Sequence, residues 1–112
     1  MSKPQRNSPT IVRRLALALP EAKEGAHFGQ PDFRVNKKIF ATLPVGGQAV
    51  SLKTTPANLE ALVATDPAAF RDAWRGRWVT VRLDRVSRTM LRDLLTDAWR
   101  LVAPKRLAPP PT

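Results

Sequence analysis

Alternation of apolar and polar side chains in the middle of the chain is the feature that most constrains the fold. Between Ala26 and Lys53 this alternation is interrupted by three turn signals, which are Gln30-Pro31-Asp32, Asn36-Lys37 and Gly46-Gly47. A period of two is typical of strands with one buried and one exposed face, and short turns join such strands in antiparallel order. The segment therefore predicts an antiparallel meander of three or four strands.

Capping residues and apolar side chains at helical spacing predict three helices. Ser8 is followed by Pro9, and Thr55 by Pro56, which is the N-cap and first-residue pattern of a helix start. Ser87 precedes a long apolar stripe with the same period. The predicted helices are 8–19, 55–66 and 87–103, and each ends at or just before a proline.

One further strand is predicted between the second and third helices. The run WVTVRL, residues 78–83, alternates and follows a Gly76 turn, whereas Phe70 is expected to anchor an additional helical turn after Asp66-Pro67. The order helix, strands, helix, strand, helix is typical of an α+β fold. We expect an antiparallel sheet of four to five strands with the helices packed on one face and the other face open.

Composition excludes several kinds of site. The 112 residues include no cysteine and one histidine, so disulfides, thiolate zinc sites, thiol nucleophiles and paired-histidine metal sites are ruled out. We expect no metal and no cofactor. No apolar run reaches the roughly 18 residues of a membrane span, and no signal-like segment is present. A single domain over 10–107, with a flexible basic tail over 1–9 and a Pro-rich tail over 108–112, is expected to be a cytoplasmic monomer.

Positive charge points to a polyanionic partner. The chain has 19 Lys and Arg against 9 Asp and Glu, a net charge of +10. The segment 71–92 concentrates this excess, with seven arginines against two aspartates. A basic patch of this kind favours nucleic acid. The alternative is that the arginine content is compositional, since Ala and Pro are abundant as well.

Strand alternation also predicts which side chains reach the open face. It directs Phe33, Val35, Ile39, Ala41, Leu43, Val50, Leu52, Val79, Val81 and Leu83 beneath the helices, and Phe40 outward among cations. The predicted nucleic-acid-binding residues are Arg34, Lys38, Lys53, Arg75, Arg77, Trp78, Arg82, Arg85 and Arg88. Their charges would meet phosphates, and Trp78 would meet a base. The alternative is an ordinary polar outer face on which a loop or helix covers Phe40 and Trp78.

His27 is the one candidate for acid–base chemistry, and the sequence assigns it no catalytic role. No serine or aspartate can be placed beside it from spacing alone, and a lone histidine is more often packed or hydrogen-bonded. Asp32 within hydrogen-bond reach of His27 in a cleft is the arrangement that would reopen the question.

Several strings together resemble the MmcQ/YjbR family. They are HFGQPDFRV (27–35), KKIFATL (37–43), AVSLK (49–53), GRWVTVRL (76–83) and LLTDAWRLVAPKRL (94–107). The resemblance implies a frataxin/CyaY-like sandwich and a DNA-binding role, with recurring family positions at Phe28, Gly29, Phe40, Lys53, Trp78 and Trp99. It does not imply iron binding, because the first helix carries Arg13 and Arg14 where an acidic ridge would be required.

The function expected from these observations is a non-enzymatic nucleic-acid-binding module, for DNA more than RNA, with low sequence specificity. The alternative is a small interaction domain whose pocket around His27, Phe28, Trp78 and Trp99 takes a small molecule or a protein partner.

Overall fold

A six-stranded antiparallel sheet organises the computed structural model, which describes residues 7–44 and 46–107. The strands are β1 Lys23–His27, β2 Gln30–Val35, β3 Lys38–Thr42, β4 Ala49–Lys53, β5 Phe70–Trp74 and β6 Trp78–Arg82. Their order across the sheet is β1-β2-β3-β4-β6-β5. The predicted α+β class is confirmed, and the sheet has six strands where four to five were expected.

Three helices begin at the predicted caps. They are α1 Pro9–Leu17, α2 Pro56–Thr65 and α3 Arg88–Val102, and the side chains of Ser8, Thr55 and Ser87 accept hydrogen bonds from their first-turn amides. Helix α3 lies across β3 and β4, α1 packs against α3, and α2 packs against β5. Leu62 of α2 and Leu94 of α3 line one cleft with Leu52 and Val79 of the sheet, so both helices cover the same face.

Strand β5 occupies the position where an additional helical turn was predicted at Phe70. A turn does follow Asp66, whose carbonyl accepts hydrogen bonds from the amides of Ala69 and Phe70. The chain becomes extended at Phe70, so this turn is shorter than predicted. Phe70 is buried opposite Val81, whereas the rest of β5 is exposed. An edge strand with one buried residue has no alternating pattern, which is why its sequence gave no strand signal.

A β-bulge reverses the predicted orientation of Ile39 and Phe40. Ala41 pairs with Phe33 and Ile39 pairs with Arg34, so Phe40 is an extra residue on β3 without a partner. Phe40 and Ala41 are both 0% exposed, and Ile39 lies on the opposite face. The prediction that Phe40 points outward and Ile39 inward was wrong because alternation fails across a bulge. The other side chains assigned to the helix-covered face are buried there.

The N-terminal end of the fold begins earlier than expected. Asn7 donates from Nδ2 to the carbonyls of Leu83 and Val86, at 3.2 and 2.8 Å, and α1 starts at Pro9. Positions 7–9 therefore belong to the folded domain rather than to a flexible tail. The rest of that tail, 1–6, and the Pro-rich tail 108–112 lie outside the described residues. None of the helices in 7–44 and 46–107 has the length and apolar character that a membrane crossing requires.

The bulge predicts unequal costs of truncation at two adjacent residues. Phe40→Ala should lower the free energy of unfolding by about 3–5 kcal/mol, because it leaves a cavity in a closed core. Ile39→Ala should cost about 1 kcal/mol, because Ile39 is partly exposed already. Urea denaturation of the two variants measures both values, and equal losses would contradict the register described here.

Candidate functional site

The sheet face opposite the helices, here called the open face, carries most of the side chains that form the candidate site. One row across it contains Asp32, Thr42, Ser51, Thr80 and Arg71, which are register partners on successive strands. Paired residues in an antiparallel sheet share a face, so the register fixes this row. A second row contains Lys53, Trp78 and Trp74.

Trp74 and Trp78 lie opposite each other at the end of the β5–β6 hairpin. The turn between them contains Arg75 and Gly76 at positive φ, and the Gly76 amide donates to both carboxylate oxygens of Asp72 at 3.0 Å. Each ring has a cation over it: Lys53 Nζ is 5.4 Å from the Trp78 centroid, and Arg75 Cζ is 5.2 Å from that of Trp74. The hairpin thus presents two aromatic rings and their cations at one end of the sheet.

The structure brings together four of the predicted binding residues, which are Lys53, Arg75, Arg77 and Trp78. Arg82 is at the other end of β6, four residues and about 13 Å away. It donates to Asp84 at 3.2 and 3.0 Å. Arg34 is also on the open face, where its charge is matched by Asp32.

The remaining predicted residues lie elsewhere. Lys38 pairs with the buried Val35 rather than with Arg34, which assigns it to the helix-covered side of the sheet. Arg85 lies beyond the end of β6, with a guanidinium nitrogen 3.8 Å from an Asp66 oxygen, and half-buried Arg88 is the first residue of α3. The predicted continuous basic surface is therefore divided between the open face, the end of the sheet and the helical side.

The alternative pocket around His27, Phe28, Trp78 and Trp99 is not assembled. Trp99 is buried on α3, and its indole nitrogen donates to the Pro20 carbonyl at 3.0 Å. Phe28 is fully exposed at the β1–β2 turn, where it and Gly29 both have positive φ. Only His27 and Trp78 of this set line a common hollow.

A buried carboxylate fixes His27 on the open face. Asp32 is 0% exposed, and its carboxylate accepts from His27 Nδ1 at 2.9 Å and from Arg34 Nε and a terminal nitrogen at 2.7 and 2.9 Å. The two Arg34 hydrogen bonds hold the pKa of Asp32 below its ordinary value against the opposing effect of burial, and His27 acts in the same direction as Arg34. Asp32 is therefore a carboxylate at neutral pH.

Gly25 leaves room for this cluster. It pairs with Asp32 across β1 and β2, and a Cβ at Gly25 would lie 3.0 Å from Asp32 Oδ1 and 3.2 Å from Arg34 Nε. Any larger residue at position 25 would therefore crowd the ion pair between Asp32 and Arg34. The requirement for glycine at position 25 follows from its pairing with Asp32, and strand alternation in the sequence does not specify that pairing.

A hollow of about 240 Å³ lies over the central strands between this cluster and the tryptophans. His27 borders it from β1, and Trp74 and Trp78 border it from β5 and β6. Ile39, Thr42, Ser51 and Ala73 complete its lining. The arrangement that would reopen acid–base chemistry, Asp32 bonded to His27 beside a cleft, is thus present in its geometry. Within the described part of the chain, neither Thr42 nor Ser51 is hydrogen-bonded to His27.

Sequence reasoning missed Trp74 and the role of Asp32. The segment WRGRW, residues 74–78, is symmetric about Gly76. This symmetry is the sequence signal that predicts a tight turn with Trp74 opposite Trp78. The pairing was overlooked because β5 was not predicted as a strand.

Comparison with known proteins identifies the family. A family model described as YjbR matches residues 17–101, a segment that includes the entire sheet. The chain belongs to the YjbR family. A structural relative of this YjbR protein is the crystal structure of Deinococcus radiodurans protein DR2400, which contains the family-model domain DUF419. The two share 24% sequence identity with a TM-score of 0.78, over 96% of this chain and 86% of the other. None of the curated proteins matches the sequence.

The Asp32 cluster predicts acid-sensitive stability. Asp32→Asn should lower the free energy of unfolding at pH 7 by about 1–3 kcal/mol, because buried hydrogen-bond partners are left poorly satisfied. Since the folded-state pKa of Asp32 lies below its unfolded value, the stabilisation by Asp32 is present above about pH 4 and is lost as the pH falls further. Denaturation of both proteins between pH 7 and pH 2 should show the difference shrinking below about pH 4; a constant difference would contradict the assignment.

Proposed function

We propose that this YjbR protein is a non-enzymatic module that binds single-stranded nucleic acid, DNA in the first instance, on the open face between Lys53 and the β5–β6 hairpin. The observation that carries the proposal is the pair Trp74 and Trp78 on an uncovered sheet, with a cation over one face of each ring. Aromatic side chains on a sheet, flanked by positive charge, are the usual means of binding unpaired bases.

The exposed area of tryptophan supports a ligand that stacks. Trp74 is 56% exposed at the end of an edge strand, where it contributes little to the core. An exposed aromatic ring of this kind offers a face on which a base can stack. A base stacked on such a ring contributes about 1–3 kcal/mol, and duplex bases cannot stack in this way without leaving their partners. The geometry therefore favours single strands over duplexes.

The distribution of unmatched charge supports the same location. Among the described residues, Lys53, Arg71, Arg75 and Arg77 have no carboxylate within ion-pair distance, whereas Arg34 and Arg82 are paired with Asp32 and Asp84. An arginine already bonded to a carboxylate gains less from a phosphate, because the existing bonds must be exchanged. We therefore assign the phosphate contacts to the four unmatched cations, which include Arg71, a residue absent from the predicted set.

Removal of the turn arginines should weaken binding and reduce its dependence on salt. If four phosphates are neutralised, log affinity for a single strand should fall with log salt at a slope of about −3, and Arg75→Ala with Arg77→Ala should reduce that slope by about 1.4. Fluorescence anisotropy of a labelled oligonucleotide, titrated at several salt concentrations, measures both quantities. Arg82→Ala should have a smaller effect than Arg77→Ala.

The matched control is Arg14→Ala with Arg100→Ala, which removes the same charge from exposed positions on helices α1 and α3. An equal loss in the control would assign the binding to net charge rather than to the open face. Tighter binding to a duplex of the same sequence would contradict base stacking. If the protein binds no oligonucleotide but binds a small molecule or protein partner with an affinity that does not depend on salt, the interaction-domain alternative is favoured.

Removal of one ring tests stacking independently of charge. Trp74→Ala should weaken single-strand binding about tenfold while leaving the salt slope unchanged, because no phosphate contact is lost. Leu17→Ala on α1 is the control, since it removes a large exposed apolar side chain from the helical side. Wild-type affinity in Trp74→Ala would exclude the ring from the binding surface.

A further inference from the structure

The hollow over the central strands has the size of a site for a single ring system. Its 240 Å³ is below the range of roughly 300–1,000 Å³ that drug-sized ligands occupy, so one ring system suits it better than a large cofactor. The indole groups of Trp74 and Trp78 form one side, and Ile39 adds an aliphatic contact on the sheet. A ligand here would be held chiefly by stacking and apolar contact.

The polar groups of the hollow favour a ring with hydrogen-bonding edges. Thr42 and Ser51 are register partners on the two central strands, and their hydroxyls can donate or accept. His27 stands at the side away from the tryptophans. The hollow therefore combines stacking surface at one side with three polar side chains along the other, which matches a heteroaromatic ring with amino and carbonyl groups.

The Asp32 carboxylate determines which His27 nitrogen a ligand would meet. It accepts a hydrogen bond from Nδ1, so Nδ1 carries the proton and Nε2 remains for the ligand. Two hydrogen bonds from Arg34 hold Asp32 in place, and Gly25 allows their close approach. A fully buried carboxylate that fixes a half-exposed histidine beside a hollow is a built arrangement rather than an incidental surface contact.

We infer that the hollow is a seat for one nucleobase, stacked beside Trp74 and Trp78 and hydrogen-bonded by His27 Nε2 and the hydroxyls of Thr42 and Ser51. This inference rests on the proposed function, and it adds a specific position where a base is read. Lys53 and Arg75, which lie over the two indole rings, are placed to meet the phosphates on either side of that base. The same seat would accept the base of a free nucleotide.

The three tryptophans provide the measurement. Their indole N–H signals in a ¹⁵N–¹H NMR spectrum are followed as adenosine or cytidine 5′-monophosphate is added, with ribose 5-phosphate as the baseless probe. The nucleotides should move the Trp74 and Trp78 signals and leave that of Trp99 in place, because Trp99 is buried and its N–H is donated to Pro20. Ribose 5-phosphate should move none of them.

Ser51→Leu tests the seat without changing any charge. A leucine at this central position fills the hollow, so it should abolish the nucleotide shifts and weaken oligonucleotide binding about tenfold with an unchanged salt slope. Thr89→Leu on α3 is the matched control, because it introduces the same leucine at an exposed position on the helical side, and it should leave both measurements at wild-type values. If the Trp99 signal shows that Ser51→Leu is misfolded, His27→Ala is used for the same comparison.

The outcomes separate the seat from the proposed function. The seat is overturned if Ser51→Leu or His27→Ala leaves both the nucleotide-induced NMR shifts and the oligonucleotide affinity unchanged. In that case, salt-dependent oligonucleotide binding by the wild type would still support the open face as the binding surface. Absence of oligonucleotide binding by the wild type would overturn the proposed function, and the nucleotide titration would then decide the seat alone. Shifts with nucleotides but not with oligonucleotides would identify a free nucleotide as the ligand.

Discussion

One-sided coverage of the sheet is the constraint from which the rest of this structure follows. All three helices lie on the same face, and the large buried side chains of both layers, such as Phe33, Leu52, Leu91 and Trp99, meet there. Burial of this apolar surface is the main stabilising contribution of the fold. The other face contributes little to the core, so packing does not require its side chains to be apolar, and it carries polar and charged residues such as Thr42, Ser51 and Lys53.

The sequence predicted the elements better than their register. Helix starts depend on local caps at Ser8, Thr55 and Ser87, which act within one turn and are therefore visible in the residues themselves. The faces of β3 depend on a bulge opposite Phe33 and Arg34, which is a property of two strands together. For this reason Phe40 was assigned to the wrong face although its strand was predicted correctly.

The candidate site was only partly predictable for the same reason. Lys53, Arg75, Arg77 and Trp78 follow from local alternation and from the Gly76 turn. The pairing of Trp74 with Trp78 and the burial of Asp32 over Gly25 require strand partners and distances that no local pattern specifies. The arginine count was similarly uninformative, because Arg34 and Arg82 are matched by aspartates whereas Arg71 and Arg75 are not.

Within residues 7–44 and 46–107, the sheet ends in two edge strands, β1 and β5, each paired on one side only, and both carry charges of each sign. Lys23 and Glu24 are exposed on β1, and Arg71 and Asp72 are exposed on β5. A free strand edge offers hydrogen-bonding groups to any extended chain, and charged side chains along it discourage such pairing. The open face can therefore remain uncovered while its two borders resist the growth of a continuous sheet from one copy of the protein to the next.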